Sequence, residues 1–537
     1  MQNPASSLVL PALTLAIPGL MLLSGLTTAS GGNGREQSRR AARLGVVTLI
    51  LAVVIAAASA WFGPVIHTFA GIGPLQLSVY VDIISIIMLV LIAFLGAVIL
   101  RYSVNYMDGD PGQSRFTKWL CVTIGTVLTM VISGNLLFFT VAWVTTSLSL
   151  HQLLNFYPDR PGAFLAARKK FLISRLGDIA MLGVLVLTYQ CFQTWDFREI
   201  FARAESFQPG EVPSQIGWIS LLLVAGAMMK SAQFPFHSWL PDTMETPTPV
   251  SALMHAGIIN GGGFLLIRLS PVVSHSPTVL TTLALIGSFT ALFASLIMLT
   301  QTSIKRSLAY STIAQMGFMM LQIGLGAFAL AMLHIVAHSL YKAHAFLTSG
   351  SIVNLAKSAW VPAERPSAHP VVLVAILITS VCLTWGMALA FGIHWDREPG
   401  TLILGSVYLM ALAYFFWNLW ASSHRSVLVA RGLLIGLAAS AAYFGLHAFF
   451  VNMTASVLPK LQLAKGPVET TVMLVILLLF MAVLVVQAQF PQWSSTRLGR
   501  SLYVHAYKGF YFVTLANRIT LALTPRTASQ PSTSKSL

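Results

Sequence analysis

Charge is what this sequence has least of. Of its 537 residues only 9% are Asp, Glu, Lys or Arg, against roughly 25% in soluble domains. That shortage excludes a chain of ordinary water-soluble domains. Acids are the scarcer sign, with 16 Asp and Glu against 32 Lys and Arg. Cysteine is nearly missing. Cys121, Cys191 and Cys382 stand alone in apolar runs, and no metal-ligand spacing appears among them, so they read as packing residues. A cleavable leader is not expected either. The run from Leu8 to Leu26 lacks a preceding basic region and a clear small-residue cleavage site, so it reads as a first membrane span. The net charge of +16 does not point to nucleic acid, because the bases sit in short loops between apolar runs, as the positive-inside rule requires.

What is present is hydrophobic residue, 56% of the chain. About fifteen apolar runs are long enough to span a bilayer on a window of ~19 residues. They start near Ser7, Leu44, Val79, Phe116, Asn135, Phe171, Ile216, Pro249, Thr278, Ser307, Ala327, Val371, Thr401, Gly432 and Thr470. The fold class is therefore an all-α polytopic membrane protein of about 14–15 transmembrane helices. Bases cluster after odd-numbered spans: Arg35, Arg39, Arg40 and Arg43, then Arg160, Arg168, Lys169 and Lys170, then Lys305 and Arg306, then Arg425 and Arg431. The amino terminus should face outside and the carboxyl terminus the cytoplasm. Beyond the last span, SLYVHAYKGFYFVTLANRITLAL mixes apolar and basic residues and predicts an interfacial helix or a partner-docking segment. Thr524 to Leu537, rich in Ser, Thr and Pro, reads as disordered.

The organising stretch runs from Gly226 to Gly263, GAMMKSAQFPFHSWLPDTMETPTPVSALMHAGIINGGG. Lys230 stands where a span should still be apolar. Pro235 then breaks the helix, and Pro241, Pro247 and Pro249 follow. A buried charge costs a few kcal/mol in a membrane, and a broken helix at that depth is tolerated only inside protein or along a watery cavity. Together they predict an ion-handling site.

Other ionisable residues inside spans are few. Asp82 begins the third. Arg175 and Asp178 lie one turn apart in the sixth and can pair either structurally or functionally. His255, alone in the eighth, fits a polar packing residue or a relay member equally. In the eleventh, MLHIVAHSLYKAHAFL places His334, His338 and Lys342 at i, i+4 and i+8. At 100° per residue these fall within an arc of ~80° on one helix face. A column of groups that exchange protons near neutral pH suits proton hopping through water. A polar seam between helices is the alternative. The HxxxH spacing lacks an acidic partner, so a metal site is disfavoured. Lys305 and Arg306 sit at a predicted boundary, as topogenic anchors or as an ion entry.

Three motifs, KSAQFPFHSWLPDTMETPTPVSALMHAG, QTSIKRSLAYSTIAQMGF and HIVAHSLYKAHAFLTSGSIV, closely resemble the antiporter-like subunits of respiratory NADH:quinone oxidoreductase, its L-type subunit above all, and of Mrp cation/proton antiporters. The likeness covers roughly Tyr80 to Leu355 and fades beyond. It implies two inverted five-helix repeats, each with one broken helix, and a central row of buried lysines and histidines that carries protons. By motif match, Lys230, His255, Lys305, His334, His338 and Lys342 belong to that row, with Asp82, Arg175 and Asp178 as possible supports. It implies no cofactor.

This chain departs from that pattern in three places. The family's Trp-Glu-Gly on the fifth span reads Trp143-Val144-Thr145, so the acid that would face Lys230 is missing. Lys230 then needs another partner, for which Asp178 is the candidate, or is neutral for much of its cycle. The twelfth run, Val371 to Ile393, carries no lysine, and its nearest ionisable groups are His394 and Asp396. The acid of the QTDIK pattern is Ser303. These losses, with YKAHAF and LYVHAYKGFY, resemble the DabB-type membrane subunits of inorganic carbon transporters. That resemblance implies a bacterial inner-membrane location and a DabA-type zinc-containing large subunit as partner. On that partner CO2 hydration would trap bicarbonate, powered by cation flux, preferably of protons, through this chain; the chain itself would not be an enzyme. A proton-pumping subunit of the quinone oxidoreductase or Mrp kind, and a non-conducting anchor, are the rival readings. The expected division is residues 1–115 for the first three spans, 116–270 and 271–422 for the two repeats, 423–490 for the last spans, and 491–537 for a docking tail.

Overall fold

The computed structural model describes residues 4–28, 33–73, 75–208, 210–351, 370–393, 399–422, 426–459, 466–493 and 496–523. The chain opens with α1 (Pro4–Thr27) and α2 (Gly34–Phe62), then a hairpin of β1 (Val65–Ile72) and β2 (Leu75–Val81). There follow α3 (Ile83–Tyr106), α4 (Gln113–Ile132), α5 (Leu136–Leu154), α6 (Pro161–Phe192) and the short α7 (Phe197–Glu205). The broken centre consists of α8 (Gln215–Lys230), two 3-10 turns over Phe236–Trp239 and Pro241–Glu245, α9 (Thr248–Ala256), and α10 (Gly261–Arg268). After α11 (Ser270–Val273) come α12 (Pro277–Met298), α13 (Ile304–Gly324) and α14 (Phe328–Leu347). The rest is α15 (Pro370–Ala390), α16 (Pro399–Ser422), α17 (Ser426–Thr454), α18 (Pro467–Trp493), α19 (Arg497–Tyr507) and α20 (Phe512–Ala522).

Among the described residues, eleven helical stretches are long and apolar enough to cross a membrane, and Gln215–Lys230 and Val374–Ala390 are shorter apolar helices. With α13 and α14, which carry polar side chains, every expected apolar run has its helix. Helices are the form available because a chain in lipid must satisfy its own N–H and C=O groups. Thr248–Arg268 is wholly buried, so the discontinuous span is wrapped by protein, where a break in a helix at membrane depth is tolerated. Close packing relies on missing side chains. A Cβ on Gly317 would lie 2.5 Å from Ala291 N, and one on Gly287 would lie 2.5 Å from Leu321 N, so α12 and α13 meet backbone to backbone.

Several boundaries differ from the sequence reading. The third span begins at Ile83, not Val79, because Val79 pairs with His67 in the hairpin. Asp82 starts the helix by accepting from Ser85 N at 3.0 Å. Arg35, Arg39, Arg40 and Arg43 lie on α2, and Arg168, Lys169 and Lys170 on α6, rather than in loops. Hydropathy windows miss such helix ends because the first turns are basic. The α15 helix runs unbroken from Pro370 to Ala390, so the second broken helix implied for the twelfth run does not interrupt it. His394, Asp396 and the stretch Thr524–Leu537 lie outside the described residues. The segment after α18 folds back on the chain. Phe512 packs edge-on against Phe234 at 4.9 Å and Phe293 at 5.9 Å between ring centroids, beside the helix break.

Candidate ion-translocation site

The first half of the site is built by α5, α6 and α8. At 16 residues, α8 is about 24 Å long, short of the ~30 Å hydrocarbon core. Its last residue, Lys230, is therefore delivered into the protein interior. The Lys230 ammonium donates to the Trp143 carbonyl at 3.3 Å and sits 4.2 Å from the centroid of the Trp143 ring. Such a cation–π contact is worth about 2 kcal/mol when desolvated. A carbonyl and an indole face thus take the place of the carboxylate missing at Val144. A Cβ on Gly261 would stand 3.6 Å from Lys230 Cε, so α10 forms the opposite wall. Asp178 is not the direct partner of Lys230. Its Oδ2 pairs with Arg175 Nη2 at 2.7 Å, and both charges act on Lys230 through space.

The second half is built by α9, α13 and α14. Lys342 is fully buried and donates to Leu308 O at 3.1 Å and to Ser311 Oγ at 2.8 Å. His255, also fully buried, has Nδ1 at 3.1 Å from Thr312 Oγ1 and stacks on Phe346 at 4.3 Å. The Thr312 hydroxyl donates its one proton to Leu308 O at 3.0 Å. It must therefore accept from His255, which assigns Nδ1 as the donor and leaves Nε2 as the open base. Leu308 O consequently joins Lys342 to His255 through Thr312. The His334 and His338 rings lie 6.0 Å apart on the predicted face of α14. Among the described residues, no protein group hydrogen-bonds either ring nitrogen of His338. Direct transfer along this column is too long, so each hop there requires water.

Lys305 lies at the start of α13, its Nζ 3.4 Å from Thr248 Oγ1 at the start of α9. Asp82 is elsewhere. Arg268 Nη1 and Nη2 meet its two oxygens at 2.7 and 3.0 Å, and Arg268 also donates to Ser85 Oγ. The 13-residue step from His255 to Arg268 puts that clamp about 20 Å away along the span. Sequence reasoning missed Lys169, Lys170, Arg268 and Thr312. Lys169 pairs with Asp242 at 2.6 Å, pinning the broken segment to α6. Lys170 donates to Ser147 O at 2.9 Å and Ser147 Oγ at 2.8 Å. The signal for both lysines was their place beside Phe171 at the head of an apolar run. Arg268 had a comparable signal, at the end of one.

Residues 133–359 match the family model described as NADH:quinone oxidoreductase/Mrp antiporter, TM, and residues 69–117 match NADH-ubiquinone oxidoreductase (complex I), chain 5 N-terminus. The fold is similar to the solved structure of an Mrp complex from Dietzia sp., with TM-score 0.63 and 21% identity, covering 97% of this chain and 60% of that one. Fold and family models together define an antiporter-like membrane subunit. Among curated proteins, "Probable inorganic carbon transporter subunit DabB2" of Halothiobacillus neapolitanus is 40% identical over 459 residues, 85% of this chain and 82% of that protein. A DabB subunit of Hydrogenovibrio crunogenus is 44% identical over 270 residues, 50% of this chain and 52% of its own. The chain belongs to the DabB family of inorganic carbon transporter subunits.

Proposed function

We propose that this subunit conducts cations, protons by preference, through Lys230, His255, His338, His334 and Lys342, with Lys305 at one mouth. The observation that carries the proposal is the pair of lysines, Lys230 partly buried and Lys342 fully buried, each held by carbonyls, hydroxyls or a ring and by no carboxylate among the described residues. With no carboxylate paired to either ammonium, each proton can be passed on without leaving a fixed counter-charge unpaired. In this reading the flux powers hydration of CO2 on a DabA-type zinc-containing partner, trapping bicarbonate. The amino terminus faces outside and the carboxyl terminus the cytoplasm of a bacterial inner membrane. The two inverted repeats and the five-part division of the chain belong to the same proposal.

The test is growth rescue of a strain that needs added bicarbonate, with both subunits expressed. Lys230→Ala and Lys342→Ala are each expected to abolish rescue while the complex still copurifies. Full rescue by both variants would sink the proposal. The missing acids at Val144 and Ser303 favour one alternative, an anchor that no longer conducts. An uncoupler separates the two, since uptake that persists without a proton gradient supports the anchor.

A further inference from the structure

The environment of Lys230 contains a second buried lysine to which the motifs gave no role. Lys170 is 4% exposed and lies on α6, a helix long and apolar enough to cross a membrane. It ends on the carbonyl and hydroxyl of Ser147. Lys230 ends on the carbonyl of Trp143. Trp143 and Ser147 are i and i+4 on α5, so the two carbonyls stand about 6 Å apart along one helix face. Two amines, one from α6 and one from α8, are thus brought to adjacent rungs of the same helix.

The surrounding charges do not neutralise them. Arg175 donates to Ser147 Oγ at 3.3 Å and is paired with Asp178. Lys169 is turned away onto Asp242. His151 of α5 packs on Phe171 at 5.2 Å. These groups, with Arg168 beside His151, are the charges that face Lys170 from α5, α6 and α8. One acid offsets one arginine, and both lysines are left over. Two ammonium groups held on adjacent rungs of one helix in a poorly screened interior repel, so the pair holds one proton more readily than two.

We propose that Lys170 is the proton-exchanging partner of Lys230, doing by like-charge exclusion what a carboxylate on α5 would do by attraction. A proton leaves the Lys230 ammonium, which becomes a neutral amine, and a neutral Lys170 takes it through water and the Ser147 hydroxyl. Arrival of the next proton at Lys230 drives the first onward from Lys170. This inference rests on the cation-conducting reading.

The experiment uses the full-length chain with its copurifying partner in liposomes. The driving force is a potassium diffusion potential, and proton entry is read with an internal pH-sensitive dye across a pH series. Lys170→Met is expected to lower flux about tenfold and to move its pH midpoint about one unit to the alkaline side, since the repelling charge is gone. Lys170→Arg, a fixed charge, is expected to lower flux at least as much and to move the midpoint to the acid side. Ser147→Ala buries no new charge and is expected to lower flux without moving the midpoint far. A lysine with only a packing role would give both Lys170 variants the same profile as the wild type. That outcome, or shifts of the same sign in both, overturns this inference while leaving conduction intact. No flux through the wild-type complex would refute the conducting reading and this inference together.

Discussion

The Asp82–Arg268 clamp gives the sharpest separation of structure from transport. The two side chains are 4% and 2% exposed, and two nearly parallel hydrogen bonds join them. Breaking a buried pair from one side costs about 3–5 kcal/mol, because the remaining charge stays buried without compensation. In Asp82→Asn the amide oxygen still caps Ser85 N, so the loss belongs at the low end, about 3 kcal/mol. Asp82→Leu also removes the cap, worth ~1 kcal/mol, for a total of about 4–6 kcal/mol. Changing both residues, Asp82→Leu with Arg268→Met, removes the stranded charge and should recover all but about 1–2 kcal/mol. Unfolding is followed by intrinsic fluorescence in detergent. Flux is measured in liposomes at matched amounts of folded protein, and it should be unchanged per molecule in all three variants. Two results refute the reasoning: a flux defect in Asp82→Asn without loss of stability, or a double variant no more stable than Asp82→Leu.

Two further perturbations test the geometry of the site. Thr312→Val keeps side-chain volume but leaves His255 Nδ1 buried without its acceptor. A loss of about 1–3 kcal/mol in stability is expected, with at least a tenfold fall in proton flux; full flux would show that the His255–Thr312–Leu308 link is not on the path. Gly262→Ala would place a Cβ 2.4 Å from Ser231 Oγ and 2.5 Å from Ala227 O. Backbone cannot yield there, so about 1–3 kcal/mol of destabilisation is expected. Gly386→Ala, with nothing within 4 Å, is the control and should fall within about 0.5 kcal/mol of wild type.

Much of the site was legible because membrane chains advertise their exceptions. An ionisable residue in an apolar run is rare and costly, so Lys230 and the His334–His338–Lys342 column stood out by hydropathy and helical period alone. The partners of those residues did not stand out. Leu308 acts through its backbone carbonyl and Trp143 through its carbonyl as well as its ring, every residue carries a carbonyl, and Ser147, Ser311 and Thr312 are ordinary polar residues of membrane helices. Asp178 was a reasonable candidate for Lys230, but it pairs with Arg175 one turn away on the same helix, the alternative its spacing also offered. The hairpin of residues 65–81 was hidden because its apolar second strand reads as the start of the next span.

The sequence by itself determined the class and the residues whose charge must be explained, because lipid imposes length and hydropathy on each span independently of its neighbours. Only the tertiary structure decided the pairings: that Asp82 clamps Arg268, that Lys169 and Lys170 point inward, and that the tail closes on the helix break. Which face of one helix meets which face of another depends on packing among spans far apart in the chain. A periodicity fixes the face of a helix but not what stands opposite it.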